Sequence, residues 1–281
     1  AMKREGYPAP FAVGVASISS ILGPIIPPSI VLIVYASITN VSVAELFLGS
    51  VLPGIILAVA LIAYGLYYGH KHNLPAHEKP NLRKIGASVR KGIWALLMPI
   101  IILGGIFGGI FTPTEASAVA TIYALIISVL VYKSMDLKTF LQCLKESAIS
   151  SANTLFIIGT STLFTYVMAK EGISALIANT ITGVSSNPAV VMFIINIILL
   201  ILGMVMEPGA ILTLMLPVLL PIANTMGYNL VYFGVVVVLN LMIGQVTPPF
   251  GVCLFVISDV NKIKLERIYK AILPFLVPLL I

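Results

Sequence analysis

Apolar runs long enough to cross a lipid bilayer constrain this chain more than any other sequence feature. Residues 93–110 and 116–132 form two such runs, and others follow along the chain. A spanning helix needs about 20 apolar residues because the hydrocarbon core is about 30 Å thick. With 59% hydrophobic and 9% charged residues, the chain lies outside the composition of soluble domains. We therefore predict an all-α polytopic membrane protein.

Basic residues lie in short blocks between the apolar runs. The net charge of +6 is compatible with nucleic-acid binding, but such blocks are better explained by the accumulation of lysine and arginine on the cytoplasmic side of membranes. We predict no nucleic-acid partner, and a cytoplasmic location for four blocks with fifteen of the sixteen basic residues. The blocks are Lys3 and Arg4; Lys71, Lys79, Arg83, Lys84, Arg90 and Lys91; Lys133, Lys138 and Lys145; and Lys262, Lys264, Arg267 and Lys270.

A shift of 221 residues aligns two stretches of the chain without a gap. It places residues 23–28, Gly-Pro-Ile-Ile-Pro-Pro, on residues 244–249, Gly-Gln-Val-Thr-Pro-Pro. Glycine and proline are common in membrane helices, which is the alternative explanation, but the same offset also matches residues on both sides of the motif. The further pairs are Gly6-Tyr7 with Gly227-Tyr228, Ser37 with Ser258, Glu45 with Glu266, and Leu52-Pro53 with Leu273-Pro274.

The basic residues predict opposite orientations for the two copies. In the first copy they precede the Pro-Pro motif and are absent from residues 37–50, whereas in the second they are absent from residues 222–230 and follow the motif. Inverted-topology repeats with interrupted helices are typical of secondary transporters, whose substrate and ion sites lie at the repeat interface. We therefore predict an inverted-topology repeat.

Each copy contains a predicted broken helix, residues 10–37 and 230–258, with the Pro-Pro motif inside it. Adjacent prolines remove two amide donors, so the carbonyls of residues 23–26 and 244–247 are expected to lose their helical partners. Free carbonyls at membrane depth persist only when they are buried or line a polar cavity, and a dehydrated Na⁺ can be their partner. A proline kink repaired by neighbouring helices is the alternative, but the repetition of the motif favours an ion site.

Residues 188–222 form a long apolar stretch that Glu207-Pro208-Gly209 interrupts. The stretch is too long for one span and too short for two complete spans, and neither flank is basic. We therefore predict a re-entrant hairpin with its tip at residues 206–210. Glu207 has two interpretations, because a carboxylate at membrane depth indicates function, whereas a carboxylate before a helix also accepts hydrogen bonds from the first N–H groups.

These elements divide the chain into three regions. Residues 1–69 hold the end of the first repeat, with its broken helix, an interfacial helix and a membrane helix. Residues 70–91 form a basic cytoplasmic loop. Residues 92–281 hold the second repeat, in which membrane helices, the hairpin, the broken helix, an interfacial helix and a final helix follow in order. The interfacial helices are predicted at residues 41–48 and 262–270, which mix charged and apolar residues at helical spacing.

Four motifs occur together and in order. They are Gly-Pro-Ile-Ile-Pro-Pro-Ser at 23–29, Phe-Thr-Pro-Thr-Glu-Ala at 111–116, Glu-Pro-Gly at 207–209 and Gly-Gln-Val-Thr-Pro-Pro-Phe-Gly at 244–251. With them, the whole chain resembles the C-terminal two-thirds of the large membrane (DctM-like, M) subunit of TRAP transporters, in the ion transporter superfamily. The resemblance implies an elevator-type transporter of the bacterial inner membrane, in which a Na⁺ gradient drives uptake of a carboxylate such as a C4-dicarboxylate or sialic acid. It also implies two partners, a periplasmic substrate-binding protein and a small Q-type membrane subunit.

The same resemblance assigns site residues, with Na⁺ as the transported coupling ion. One Na⁺ site would use carbonyls around Gly23, Ile26 and Pro28, and the other those around Gly244, Thr247 and Pro249. The candidate residues of the hairpin tip and the substrate pocket are Met206, Glu207, Pro208, Gly209, Ser19 and Ser20. Because the first copy has no counterpart of residues 188–221, a first hairpin is expected to precede residue 1.

Other functional classes have weaker support. The sequence contains neither a Gly-x-x-x-x-Gly-Lys-Ser/Thr phosphate loop nor a His-Glu-x-x-His motif, so we predict no enzymatic activity. A purely structural membrane subunit would not need two ion-type motifs. Within transport, the alternative is a Na⁺/carboxylate carrier of the ion transporter superfamily that works without a binding protein.

We expect residues 79–91 to face the cytoplasm and residues 39–43 to face the periplasm, because basic residues determine orientation. Single cysteines at positions 40 and 81, with Cys143 and Cys253 replaced by serine, can be probed with a membrane-impermeant maleimide in intact cells. Position 40 should react and position 81 should not. Labelling of position 81 with protection of position 40 would contradict the inverted repeat.

Overall fold

The computed structural model describes residue 2 and residues 6–72 and 82–280. This part of the chain folds into thirteen α-helices and contains no β-strand, and a π-helical segment, Ile127–Val131, extends the sixth helix. The helices are α1 (Ala9–Ser20), α2 (Leu22–Ile25), α3 (Ile30–Thr39), α4 (Val43–Lys71), α5 (Leu82–Phe107), α6 (Pro113–Ile126), α7 (Leu137–Lys170), α8 (Ile173–Val184), α9 (Pro188–Val205), α10 (Pro208–Thr225), α11 (Leu230–Gln245), α12 (Val252–Asn261) and α13 (Leu265–Leu280).

Six helical segments within the described residues are long and apolar enough to cross a membrane. This finding confirms the predicted all-α, multi-pass architecture. The segments are Ala9–Thr39, Val43–Lys71, Pro113–Val131, Leu137–Lys170, Pro188–Val205 and Pro208–Thr225.

The chain forms two compact units, one of residues 76–156 and one of residues 1–75 with 157–281. In the unit of residues 76–156, α6 begins with a pair of reciprocal hydrogen bonds between Thr112 and Glu115. The Thr112 N–H donates to Glu115 Oε2 at 2.8 Å, and the Glu115 N–H donates to the Thr112 hydroxyl at 3.3 Å. Such a capping box satisfies two backbone donors at a helix start. The Tyr123 hydroxyl donates to the Trp94 carbonyl at 2.7 Å and joins α5 to α6.

The predicted loop at residues 70–91 is helical at both ends. α4 continues to Lys71 and α5 begins at Leu82, so the segment between the two helices is shorter than expected. Residues 73–81, which include Lys79, lie outside the described residues, as do Lys3 and Arg4.

The two predicted interfacial helices are not separate elements. α4 runs unbroken from Val43 and α13 from Leu265, so residues 41–48 and 262–270 mostly belong to the first turns of longer helices. Neither segment contains a Gly-Pro or Pro-Pro pair that would end a helix. The mixed charge pattern was therefore not enough to predict a helix boundary.

Both Pro-Pro motifs interrupt a helix, as predicted. α2 ends at Ile25 before α3 begins at Ile30, and α11 ends at Gln245 before α12 begins at Val252. The order of elements also recurs, because α11 begins 221 residues after α1, while α12 and α13 begin 222 residues after α3 and α4. The repeat found in the sequence is therefore present in the helix boundaries.

Contacts between the two copies are reciprocal. α1 packs against α12 and α13, and α11 packs against the corresponding helices α3 and α4. A Cβ at Gly14 in α1 would lie 3.1 Å from Ala271 in α13, and a Cβ at Gly49 in α4 would lie 3.4 Å from Val235 in α11. In addition, the buried Tyr35 hydroxyl of α3 donates to the Leu230 carbonyl at the start of α11 at 2.8 Å.

Residues 188–225 form a helical hairpin. Its arms, α9 and α10, contain 18 residues each and are about 27 Å long. The Tyr228 hydroxyl donates to the Pro188 carbonyl, so the start of α9 lies next to the residue that follows α10. Each arm is long and apolar enough to span a membrane, whereas the length of the stretch predicted fewer than two complete spans.

The first arm of the hairpin packs closely along α11. Asn240 Nδ2 donates to the backbone carbonyl of Asn196 at 2.9 Å and to its side-chain oxygen at 2.8 Å. Nearer the hairpin tip, the backbones touch at Gly203 and Gly244, where a Cβ on Gly244 would lie 2.9 Å from the Gly203 Cα. Small residues allow membrane helices to approach this closely.

We expect Gly244→Ala to lower the free energy of unfolding by about 1–3 kcal/mol, the usual cost of overpacking, because the added methyl would meet backbone atoms. Gly65→Ala is the matched control, since a Cβ at that glycine of α4 meets nothing within 4 Å. Gly65→Ala should raise the free energy of unfolding by about 0.5–1 kcal/mol, because glycine inside a helix is destabilising relative to alanine. Thermal unfolding in detergent checks both. Equal melting temperatures for the two variants would contradict the close backbone contact.

Candidate functional site

At the first helix break, two adjacent prolines lack the backbone N–H groups that would continue the helical hydrogen bonds. Pro27 and Pro28 follow Gly23 and Pro24 by four residues, so those two carbonyls lose their α-helical N–H partners. Ser29, which is 1% exposed, repairs one of them, because its hydroxyl donates to the Pro24 carbonyl. The Gly23 carbonyl has lost its helical donor, as the sequence predicts.

The first break is open on one side within the described residues. Gly23, Ile26 and Pro28 are all exposed, with Ile26 at 37%. Outside its own helical turn, no described atom lies within 4 Å of the position that a Gly23 Cβ would take. The structure therefore does not pack Gly23 against the hairpin tip.

The second break is closed by its own polar groups. The Thr247 N–H donates to the Gly244 carbonyl at 3.0 Å, and the Thr247 hydroxyl donates to the Ile243 carbonyl at 2.7 Å. The Tyr269 hydroxyl donates to the Pro249 carbonyl at 2.6 Å. The expectation that the Gly244 carbonyl has no partner was therefore wrong, because a shorter 3₁₀-type bond replaces the one that proline removes. A carbonyl oxygen has two lone pairs. The Ile243 carbonyl also accepts the Val246 N–H at 3.2 Å and is therefore filled, whereas the Pro249 carbonyl, with the single bond from Tyr269, keeps an acceptor position.

The tip of the hairpin is a two-residue gap between α9 and α10. Glu207 is the N-cap of α10, and its Oε2 accepts the Ala210 N–H at 3.0 Å. This finding supports the capping interpretation of the carboxylate. Pro208 occupies the first position of α10 and is buried, and the Gly209 carbonyl accepts the Thr213 hydroxyl at 2.8 Å.

Gln245 connects the hairpin tip to the second break. Its Nε2 donates to the Met206 carbonyl at 2.9 Å and to the Gly203 carbonyl at 3.3 Å. Gln245 lies in the motif at residues 244–251, but the sequence pattern predicted no role for it. A glutamine in an apolar membrane helix is itself a signal, because such side chains form hydrogen bonds across helices. A second link is the Gly251 N–H, which donates to the Met204 carbonyl at 2.8 Å.

Ser19 and Ser20 lie at the end of α1 and are both exposed. Their hydroxyls donate within the helix, from Ser19 to the Val15 carbonyl and from Ser20 to the Ser17 carbonyl, each at 2.7 Å. The Ser20 side chain also contacts the thiol of Cys253 at the start of α12. The end of α1 is thus brought next to the second break.

Comparisons with known proteins agree on one family. The model of the family described as "Tripartite ATP-independent periplasmic transporter, DctM component" matches residues 1–281. The chain is 40% identical over 280 residues to the C4-dicarboxylate TRAP transporter large permease protein DctM of Pseudomonas aeruginosa, covering 100% of this chain and 66% of that protein.

Two sialic acid permeases are also similar. Identity is 38% over 280 residues to the large permease protein SiaM of Vibrio cholerae serotype O1, covering 100% of this chain and 66% of that protein. It is 38% over 282 residues to the permease protein SiaT of Haemophilus influenzae, covering 100% of this chain and 46% of that protein. The chain thus spans about half to two-thirds of the length of these relatives.

Replacing Glu207 separates its capping role from any role in proton transfer. Glu207→Ala should lower the free energy of unfolding by about 1 kcal/mol, a typical loss for an N-cap, whereas Glu207→Gln keeps an acceptor and should have a smaller effect. Thermal unfolding in detergent measures the difference. Glu207→Gln should also retain uptake and, where uptake by the parent protein depends on Na⁺, the same dependence. If it folds normally but loses the pH dependence of uptake or its Na⁺ coupling, Glu207 carries protons.

Proposed function

Because the chain belongs to the DctM component family of tripartite ATP-independent periplasmic transporters, we propose that it forms the transport domain of a Na⁺-driven uptake system for organic anions. The family is a transporter component, not an enzyme. The observation that carries the proposal within the structure is the convergence of the hairpin tip and the second helix break, joined by Gln245 and Gly251.

The proposed ion ligands are backbone carbonyls at the two breaks. At the first break, the Gly23 carbonyl has lost its helical donor, and Ile26 and Pro28 are exposed beside it. At the second, the carbonyl of Pro249 accepts one hydrogen bond and keeps a second lone pair, while the carbonyl of Gly244 faces the N–H groups of both Val246 and Thr247 and would share its oxygen with them. Unwound helix segments supply Na⁺ ligands of this kind in secondary transporters.

We further propose that the two repeats are inverted and move as an elevator. The reciprocal packing of α1 on α13 and of α11 on α4 supports a two-fold relation between the copies. Tyr35, near the end of α3, bonds to Leu230 at the start of α11, while the other end of α11 lies near Ser20. The first broken helix thus passes from Ser20 towards Tyr35, while α11 begins beside Tyr35 and ends at Gln245, whose side chain contacts Cys253 next to Ser20. This antiparallel course supports an axis in the membrane plane.

The proposed substrate is a carboxylate. Two of the relatives are named for sialic acid and one for C4-dicarboxylates, and both classes of compound carry carboxylate groups. The N-terminus of α10 also lies at the hairpin tip, but the Glu207 carboxylate already caps it, so the proposal rests on the substrates for which the relatives are named.

The proposed partners follow from the tripartite nature of the family. We assign the two other components to a periplasmic binding protein that delivers the substrate and to a small membrane subunit that supports the transport domain. All three would work at the inner membrane of a bacterium. Uptake that needs no binding protein would favour the alternative carrier type instead.

Straightening either break tests the ion sites without changing any charge. Pro27→Ala with Pro28→Ala, or Pro248→Ala with Pro249→Ala, restores two amide donors and makes a continuous helix available. Carbonyls bonded within a helix are poor ion ligands, so each double variant should need several-fold more Na⁺ for half-maximal uptake. The Hill coefficient should also fall as one of two sites is lost.

The measurement is the initial uptake rate against Na⁺ concentration in proteoliposomes containing the complete transport system at matched protein amounts. Thermal unfolding serves as the folding control. An unchanged midpoint and Hill coefficient in both folded variants would mean that the breaks are ordinary proline kinks.

A further inference from the structure

Carbonyl groups at the C-terminal end of α9 are capped by another part of the chain. Gln245 Nε2 donates to the carbonyls of Gly203 and Met206, and the Gly251 N–H donates to the carbonyl of Met204. The last carbonyls of a helix have no partner within it, and an unpaired carbonyl is costly in hydrocarbon. The second helix break therefore supplies the cap for the first arm of the hairpin.

A single side chain provides most of this cap. Gln245 is 7% exposed. Both the nitrogen and the oxygen of its side-chain amide make contacts, because Nε2 donates to α9 and Oε1 lies 3.7 Å from the thiol sulfur of Cys253. The amide thus connects the end of α9 with the end of α11 and the start of α12. The Gly203–Gly244 backbone contact brings the helices close enough for a glutamine to reach.

We propose that Gln245 is a positioning residue that fixes the hairpin tip, residues 206–209, to the second helix break. The inference rests on the proposed Na⁺-coupled function and deepens it. The ligand groups of the break and the tip form one pre-organised unit, so that binding Na⁺ does not require the tip to be ordered first. Pre-organisation of this kind raises affinity without adding a contact to the ligand.

Cys253 provides a local reporter of this connection. Its thiol faces Gln245, and the other cysteine, Cys143, is exposed and can be replaced by serine. In the Cys143→Ser protein, the rate at which N-ethylmaleimide alkylates the half-buried Cys253 measures how accessible this region is. Gln245→Leu keeps the approximate volume but removes both donated bonds and the contact with the Cys253 thiol. Gln245→Glu keeps the shape and the oxygen that faces the thiol but, when ionised, cannot donate, so it isolates the loss of the two donated bonds.

The matched control is Asn240→Leu. Asn240 also joins α11 to α9 through two bonds from its amide, but at Asn196, away from the tip. If the amide hydrogen bonds only held α9 and α11 together, the two leucine variants would show the same change in the rate of Cys253 alkylation. A positioning role predicts that only the Gln245 variant changes the tip.

We expect Gln245→Leu to be alkylated at Cys253 roughly tenfold faster than the Cys143→Ser parent, the factor that corresponds to losing two modest hydrogen bonds. Asn240→Leu should react at the parent rate. In proteoliposomes with the complete system, Gln245→Leu should raise the Na⁺ concentration for half-maximal uptake by a similar factor, with a near-normal rate at saturating Na⁺. Saturating Na⁺ should also slow the alkylation of the variant.

Equal alkylation of Gln245→Leu and its parent overturns the proposal, as does equal acceleration in the two leucine variants. If Gln245→Leu is not recovered from membranes, Gln245→Glu is judged by the same two comparisons. Failure of the proposed function has a different signature. In that case, uptake and alkylation of the parent protein would be independent of Na⁺, while the alkylation difference between parent and Gln245→Leu would still report the connection.

Discussion

The hydrocarbon core offers a backbone carbonyl no water, so every interruption of a membrane helix must be repaired within the protein. Three interruptions are repaired by polar side chains in this structure. Ser29 bonds to a carbonyl at the first break, Thr247 and Tyr269 bond to carbonyls at the second, and Gln245 and Glu207 cap the two helices at the hairpin tip. Each polar group would be costly at this depth without its partner.

The same motif has different surroundings in its two copies. The second break is bonded to the hairpin tip and to α13, and its carbonyls at Gly244 and Pro249 already accept hydrogen bonds from protein donors. The first break is exposed around Gly23, within the residues that the structure describes. An ion at the second break would share its oxygens with protein donors, whereas at the first it would meet a carbonyl freed by proline.

Close helix packing makes these repairs possible. Membrane helices associate mainly through van der Waals packing and hydrogen bonds across the interface, and both occur where α9 meets α11. The backbones touch at Gly203 and Gly244, and Asn240 bonds to Asn196 along the same seam. A side chain on either glycine would separate the helices and take Gln245 away from the carbonyls it caps. The hydrogen bonds between Gln245 and the end of α9 therefore depend on glycine at both positions.

The sequence alone determined the helical, multi-pass class, the positions of both breaks and the hairpin, because apolar runs and the missing amides of Pro27-Pro28 and Pro248-Pro249 are local properties. Local patterns could not predict that α4 and α13 run through the expected interfacial segments, since the prolines that follow those segments, Pro53 and Pro274, lie inside continuous helices. Only the tertiary structure decided which carbonyls stay free and which side chain joins the hairpin to the break. Gln245 and Met206 are 39 residues apart in the chain, and a hydrogen bond over that distance exists only once α9 and α11 have packed.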